Sequence, residues 1–308
     1  MTVVTAPLPF EEAAATTRPV TVGKRKRRPK RIALQAFLIF MAVGWLFPIL
    51  WAVFSSFRDY AYTQANGYAS LGGFTLDNYA DAWRRGNFTQ HFTNSLIITI
   101  PVVLLTLALA SAVAFVVSRF SFKFNLAMLG FFTAANLLPP QALVIPVYRI
   151  FREIPVPSFI SESGTLLDSF LGLILVNTAF QTGFCAFVLS NYMKTLPRDL
   201  YEAAQVDGAN VFRQYWSITL PLCRPALGAL AALEVVFIYN EFYWATALMQ
   251  TGDKFPITSA LNNLKGEFFV DYNLLSAGSV VIAIPPIIVF LVLQRQFVRG
   301  LTLGATKG

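Results

Sequence analysis

Charge is scarce in this sequence. Only 13% of its 308 residues are charged and 56% are hydrophobic, whereas a soluble globular domain carries about 25% charged residues. With 29 phenylalanines as well, this composition excludes a chain solvated by water on all sides and points to one solvated largely by lipid. His91 is the single histidine, which excludes a histidine-based metal cluster and leaves little for acid–base chemistry. The two cysteines, Cys185 and Cys223, are far apart and no CxxC spacing occurs. They read as small apolar residues in or near membrane helices, not as a metal or redox pair.

The net charge is +8 and the pI near 9.6, which raises nucleic acid as a partner. The distribution argues against it. Much of the excess sits in one run, Lys24-Arg25-Lys26-Arg27-Arg28-Pro29-Lys30-Arg31, directly before an apolar segment, and such a run reads as a topology signal. Residues 1–23 are rich in Ala, Thr, Val and Pro without apolar periodicity. Residues 1–32 are therefore expected to form a disordered basic tail.

Six apolar segments follow, near Ala33–Phe54, Phe92–Val117, Leu126–Tyr148, Ser169–Tyr192, Ala226–Met249 and Leu274–Leu293. Each is long enough to cross a bilayer core, which takes about 20 helical residues. The first is too long for a signal-peptide core and has no clear small-residue cleavage site, so it is expected to stay as an anchor. Pro139-Pro140, after Asn136, predicts a break in the third segment; Asn136 and Gln141 flank it and suit the freed backbone. With the N-terminus inside, 17 of the 24 Lys and Arg fall in inner segments and seven in outer loops, so both termini are expected in the cytoplasm. Three outer loops result: about 55–91, with a capped turn at Asp77-Asn78-Tyr79, then Phe151–Asp168, then a polar Gln250–Asn273. The fold class expected is all-α integral membrane with six transmembrane helices. No inverted repeat relates the two halves, which counts against a secondary transporter of that design.

The inner loop at about 194–222 has unusual chemistry. Pro197 suits a first helical turn, Asp199 and Glu202 favour the positive helix end, and Gly208 suits a stop. Ala209 to Thr219 predicts a second short helix ended by Pro221. Leu200, Ala203, Ala204, Val206, Phe212, Tyr215 and Trp216 are too apolar to face water all round, and Glu202 and Asp207 can pair with basic groups on a partner. On apolar pattern alone, an interfacial amphipathic helix reads equally well. The spacing adds more: Glu202-Ala203-Ala204, three residues, Gly208, nine residues, Ile218, one residue, Leu220-Pro221.

That run resembles the signature loop of permease subunits in binding-protein-dependent, ATP-driven (ABC) importers. Thr75-Leu76-Asp77-Asn78-Tyr79, Asn94-Ser95-Leu96 and Asn240-Glu241-Phe242 are similar to other stretches of that family. The ending Gln296-Phe297-Val298-Arg299-Gly300-Leu301 to Gly304-Ala305-Thr306-Lys307-Gly308 is similar to its carbohydrate-importer branch, in particular to the shorter permease of maltose-type importers. The resemblance covers about residues 33–308. It implies a type I ABC importer permease fold in a bacterial inner membrane, paired with a second homologous permease. It also implies two ABC ATPase subunits, one receiving this loop through Glu202, Ala203, Ala204, Asp207, Gly208, Ile218, Leu220 and Pro221, and an extracytoplasmic sugar-binding protein. ATP and Mg would belong to the ATPases, because this chain has no phosphate-cradling Gly-rich loop. The chain itself is then not an enzyme, needs no cofactor and binds no nucleic acid.

For the solute path, Glu234 and Glu241 stand seven residues apart in the fifth segment, which on a continuous helix is one face. A carboxylate at membrane depth must be paired or hydrated; a polar wall of the sugar path and an internal structural hydrogen bond both satisfy that. Asn177, Thr178 and Gln181 in the fourth segment, and Asn240 in the fifth, suit sugar hydroxyls or helix–helix hydrogen bonds. Tyr239, Tyr243 and Trp244 suit an interfacial aromatic belt. Rival readings are a polyol or glycerol phosphate ester as solute, an ion-coupled secondary transporter using Glu234, and a membrane-embedded enzyme. The secondary transporter would not need the Glu202–Pro221 loop, and the enzyme would need a convergent set of titratable groups, for which two Glu residues are a thin basis.

Overall fold

The computed structural model describes residues 29–120, 123–265 and 270–302, and the side chains of all these except 29, 30, 126, 133, 136 and 295–302. The tail at 1–28, the side chain of Asn136 and the side chains of the C-terminal motif therefore lie outside the described residues. The architecture is helical. Among the described residues there is no strand, only isolated bridges Arg58–Phe74 and Pro155–Thr165.

The elements in chain order are α1 (Pro29–Ser56), α2 (Tyr60–Asn66), α3 (Asp77–Arg85), α4 (Phe88–Arg119), α5 (Asn125–Leu137), α6 (Pro140–Glu153) and α7 (Phe170–Met193). Then come α8 (Asp199–Val206), α9 (Val211–Gln214), α10 (Leu220–Leu222), α11 (Arg224–Tyr239), α12 (Tyr243–Leu248), α13 (Ile257–Ala260) and α14 (Tyr272–Thr302). By contacts the chain divides between Ile49 and Leu50. In the first unit, every residue of α1 from Arg31 to Ile49 is exposed although the segment is strongly apolar. Lipid or another subunit, not this unit's own core, must solvate such a surface.

The second unit is built on α4 and α7, its most extensive helix pair, with α11 and α14 packed beside them and α5 on α7. Toward their C-terminal ends, Ala110 and Ala114 of α4 meet Cys185 and Ala186 of α7, all fully buried. Without a hydrophobic drive between helices in lipid, small side chains at the contact let the backbones approach closely.

Four helices, Arg31–Ser56, Phe88–Arg119, Phe170–Met193 and Tyr272–Gln294, are long and apolar enough to span. The other two expected spans are divided. The third breaks as the Pro pair predicts: α5 stops at Leu137, Pro139 is extended, and α6 starts on Pro140, since a residue before proline is driven out of helical geometry. The fifth, expected unbroken to Met249, is a correction. α11 stops at Tyr239, Asn240-Glu241-Phe242 turns, and α12 resumes at Tyr243. Glu241 causes the restart: its Oε1 accepts the Trp244 N–H at 2.6 Å and Oε2 the Ala245 N–H at 3.1 Å, satisfying donors a new helix leaves unpaired.

The part of the expected polar loop at 250–265 folds back on the bundle and buries Ile257, Ala260 and Leu264. The start of α4 holds it. Asn94 Nδ2 donates to Asp253 O at 2.7 Å and Phe255 O at 3.0 Å, His91 Nδ1 lies 2.7 Å from Phe255 O, and the Ile257 N–H donates to Ser95 Oγ at 2.9 Å. The Asn94-Ser95 motif thus has a structural duty, as does Asn78, whose amide donates to Ser56 O and Arg58 O and ties α3 to the end of α1.

Arg58, counted from sequence as a charge of the first outer loop, is only 1% exposed. Its guanidinium donates to Gly72 O, Tyr68 O, Gly67 O and Ser70 Oγ, so one side chain organises residues 59–74. Arg58→Ala strands those carbonyls and should cost about 3 kcal/mol. Arg58→Lys should recover little, because an ammonium lacks the planar fork. Accelerated hydrogen exchange confined to 59–74 is the expected signature; unchanged exchange there refutes this role.

Candidate functional site

The loop at about 194–222 folds as the charges direct. α8 begins at Asp199, with Asp199 and Glu202 in its first turn, where carboxylates complement the positive helix end. Pro197 lies just before the helix instead of in its first turn. α8 ends at Val206, Asp207 caps it, and Gly208 adopts φ +78°, the left-handed conformation that closes helices. The Ala209 N–H then returns to Ala204 O at 2.8 Å. Asn210 starts α9 by accepting the Arg213 N–H at 2.8 Å.

The second helix differs from expectation. α9 ends at Gln214, residues Tyr215–Thr219 form a widened π turn, and Pro221 sits in the first turn of α10 instead of ending the helix. The chain continues to α11 through a 72° bend. Proline cannot donate and crowds the preceding turn; the wider π turn, closed by Leu220 N–H to Tyr215 O, accommodates it.

One face of this loop is fixed to the bundle. Thr219 Oγ1 donates to Gln214 O at 3.2 Å. Its single proton being used there, Tyr201 must donate to it at 3.1 Å. Burial pushes the Tyr201 phenol up despite that hydrogen bond, so it remains a donor. Tyr215 donates to Ser111 of α4 at 2.8 Å, since Ser111 gives its proton to Ala108 O. The Arg119 guanidinium lies 4.3 Å from the Tyr201 ring centre. These contacts fasten the loop to the C-terminal part of α4.

The other face is bare. Glu202, Ala203, Asp207 and Gly208 are exposed, while Ile218, Leu220 and Pro221 are half-buried and Ala204 is buried. Val206 is 88% exposed, Phe212 71% and Trp216 54%, with the Phe212 and Trp216 rings 6.0 Å apart. Large apolar groups beside two unpaired carboxylates are the makings of a docking surface.

A protein-family model described as binding-protein-dependent transport system inner membrane component matches residues 103–303. The chain belongs to that family. It is 31% identical over 265 residues to a probable ABC transporter permease protein of Pyrococcus horikoshii, covering 85% of this chain and 92% of that one. It is 28% identical to the diacetylchitobiose uptake system permease of Streptomyces coelicolor, covering 88% and 87%. A solved bacterial ABC transporter involved in alginate import shares the fold, with TM-score 0.73 and 22% identity over 89% of this chain and 98% of that one. The fold is thus that of a type I ABC importer permease.

In this permease the candidate path residues do not form one surface. Glu234 is 0% exposed, accepts from Cys185 Sγ at 3.2 Å, and its Oε2 has no partner among the described residues. Because of the break at Asn240, Glu234 and Glu241 do not share a helix face, and the one-face expectation is corrected. Asn240 is exposed and donates to Val236 O at 2.8 Å. Asn177 is buried and donates to Leu173 O at 2.9 Å, Thr178 is buried, and Gln181 is half-buried. Glu234→Gln keeps an oxygen for Cys185 and should leave uptake kinetics unchanged; a shifted KM would place Glu234 on the solute path.

Sequence reasoning missed Asp168. Its carboxylate accepts the Gln250 N–H at 2.8 Å, the Thr251 N–H at 2.9 Å and Thr251 Oγ1 at 2.6 Å, and pairs with Lys254 Nζ at 3.3 Å. Burial opposes ionisation, but these donors prevail and hold the carboxyl below its usual range. No motif marked it; its partners lie more than eighty residues away.

Proposed function

We propose that this chain is a transmembrane permease subunit of a sugar importer, moving a mono-, di- or oligosaccharide into the cytoplasm by alternating access coupled to ATP hydrolysis. The exposed, partner-ready face of the loop at 202–221 carries this reading. Glu202, Ala203, Asp207 and Gly208 meet a cleft on an ATPase subunit, while Tyr201 and Tyr215 relay its movement to α4. A second homologous permease completes the pore, two ATPases bind the nucleotide and Mg, and an extracytoplasmic binding protein delivers the solute.

The span count is six, with α5–α6 and α11–α12 as the broken third and fifth spans. Both termini are cytoplasmic, a basic tail precedes the permease domain, whose first helix starts at Pro29 and not after residue 32 as expected, and the location is a bacterial inner membrane. Carbohydrate is favoured by the C-terminal motif and by relatives named for sugars, including an alpha-glucoside permease of Rhizobium meliloti. Asn177, Thr178, Gln181, Asn240 and Glu241 are the polar groups available along the path when the helices reopen, whereas Glu234 stays buried against Cys185.

The test is purification of the tagged chain from its native membrane. A second permease and an ATPase should co-purify, and the reconstituted assembly should hydrolyse ATP faster with binding protein and a sugar that a thermal-shift screen shows it captures. A stable, active homodimer without ATPase refutes the proposal.

A further inference from the structure

A cavity of about 300 Å³ opens where the ends of α4 and α7 meet the start of α8, lined by Ser118, Arg119, Lys194, Arg198, Tyr201 and Glu202 among others. Three of these are cations and one is an anion. Among the described residues none of the three cations forms an ion pair; the only pairs are Arg84 and Arg85 with Asp81, and Lys254 with Asp168. Arg119 is half-buried, and Tyr201 orients its guanidinium. Lys194 directly follows α7, one of the four helices able to span, so the cavity sits where a span emerges from the bilayer.

We propose that this cavity binds the phosphate headgroup of an anionic phospholipid, which places a lipid contact beneath the docking loop. Three cations lining a concave pocket at the end of a membrane helix are opposite in sign to a phosphodiester, and basic pockets between helices on the cytoplasmic side select anionic headgroups. Arg119 supplies a guanidinium fork suited to two phosphate oxygens. Glu202 bounds the same cavity from α8. An occupied site therefore places a fixed negative charge near a docking carboxylate and links bilayer composition to the loop's position. The inference rests on the cytoplasmic placement of this loop.

The experiment uses the co-purified assembly in nanodiscs of phosphatidylcholine with and without phosphatidylglycerol. Retained lipid is counted by native mass spectrometry for the wild type, Arg119→Gln, Lys194→Gln and Arg198→Gln. The wild type should retain phosphatidylglycerol over phosphatidylcholine, and each substitution should weaken retention about fivefold, as expected for one cation near an anionic surface. Arg119→Lys should restore part of it. Melting temperatures within error of the wild type show that loss of lipid is not loss of fold; a Gln variant that melts early is replaced by its Lys or Arg counterpart at the same position. Equal retention by wild type and all variants overturns the proposal. Displacement of the lipid by millimolar inorganic phosphate overturns the lipid assignment in favour of a soluble phosphate. Retention does not depend on ATP or solute. Failure here thus leaves the importer reading standing, and absence of an ATPase from the assembly tells against that reading alone.

Discussion

Glu202→Lys and Gly208→Val should each abolish uptake while leaving the permease inserted at normal levels. Glu202 is exposed and has no ion pair among the described residues, so reversing its charge should change the chain's own stability by less than about 0.5 kcal/mol. In the assembly the same carboxylate would face basic groups of the ATPase. Leaving such a charge unmatched at a closed interface costs about 3 kcal/mol, roughly a hundredfold in coupled transport. Gly208 acts differently. A Cβ there meets nothing within 4 Å, so sterics with neighbours are not the issue. The cost is the left-handed backbone at φ +78°, about 1–2 kcal/mol for a residue with a side chain and more for a β-branched one. The chain relieves it by rotating the turn, which re-aims Val206 and Phe212, whose apolar face must meet the partner in register. Both variants should appear in membranes, bind ATPase weakly and transport at background. Normal uptake by both would end the docking proposal. An acidic substitution on the ATPase that restores Glu202→Lys would identify the facing residue.

The sequence made some features legible because their causes are local. The four long apolar helices follow from apolar length, α8 from Asp199, Glu202 and Gly208, and the α5–α6 break from Pro139-Pro140. The α11–α12 break was not legible. Asn240-Glu241-Phe242 carries no proline or glycine, and the turn arises from a carboxylate capping forward, a choice settled by tertiary packing. The π turn was hidden for a related reason: Pro221 announces a disturbance but not which ring size absorbs it. The loop at 194–222 was legible as a pair of short helices with apolar faces, yet only the coordinates divide it into a face bound to α4 and a face left open. The path residues were least legible, because a polar side chain in an apolar segment looks the same whether it bonds its own helix, as Asn177 and Asn240 do, or lines a cavity.

Asp168→Ala should be strongly destabilising. Four donors converge on this carboxylate from Gln250, Thr251 and Lys254, and its N–H donates to Leu248 O at 3.0 Å. It thereby fastens the segment before α7 to the end of α12. Truncation leaves three donors and an ammonium unmet in a largely enclosed place, and puts alanine at φ +53°, a conformation aspartate tolerates better. Together these should cost about 3–5 kcal/mol. Asp168→Asn keeps an acceptor for the two N–H groups and the backbone preference, and should lose about half as much. The pH dependence separates charge from shape. The folded carboxyl titrates below its unfolded value, so its stabilisation is fully present above the unfolded pKa, about 3.9. It is lost as pH falls through the lower folded pKa. The wild type should therefore lose outer-loop protection in acid, seen as rising hydrogen exchange at residues 250–255, whereas Asp168→Asn should start less protected and change little over the same range. An acid response in Asp168→Asn equal to that of the wild type would assign the loss to another carboxylate.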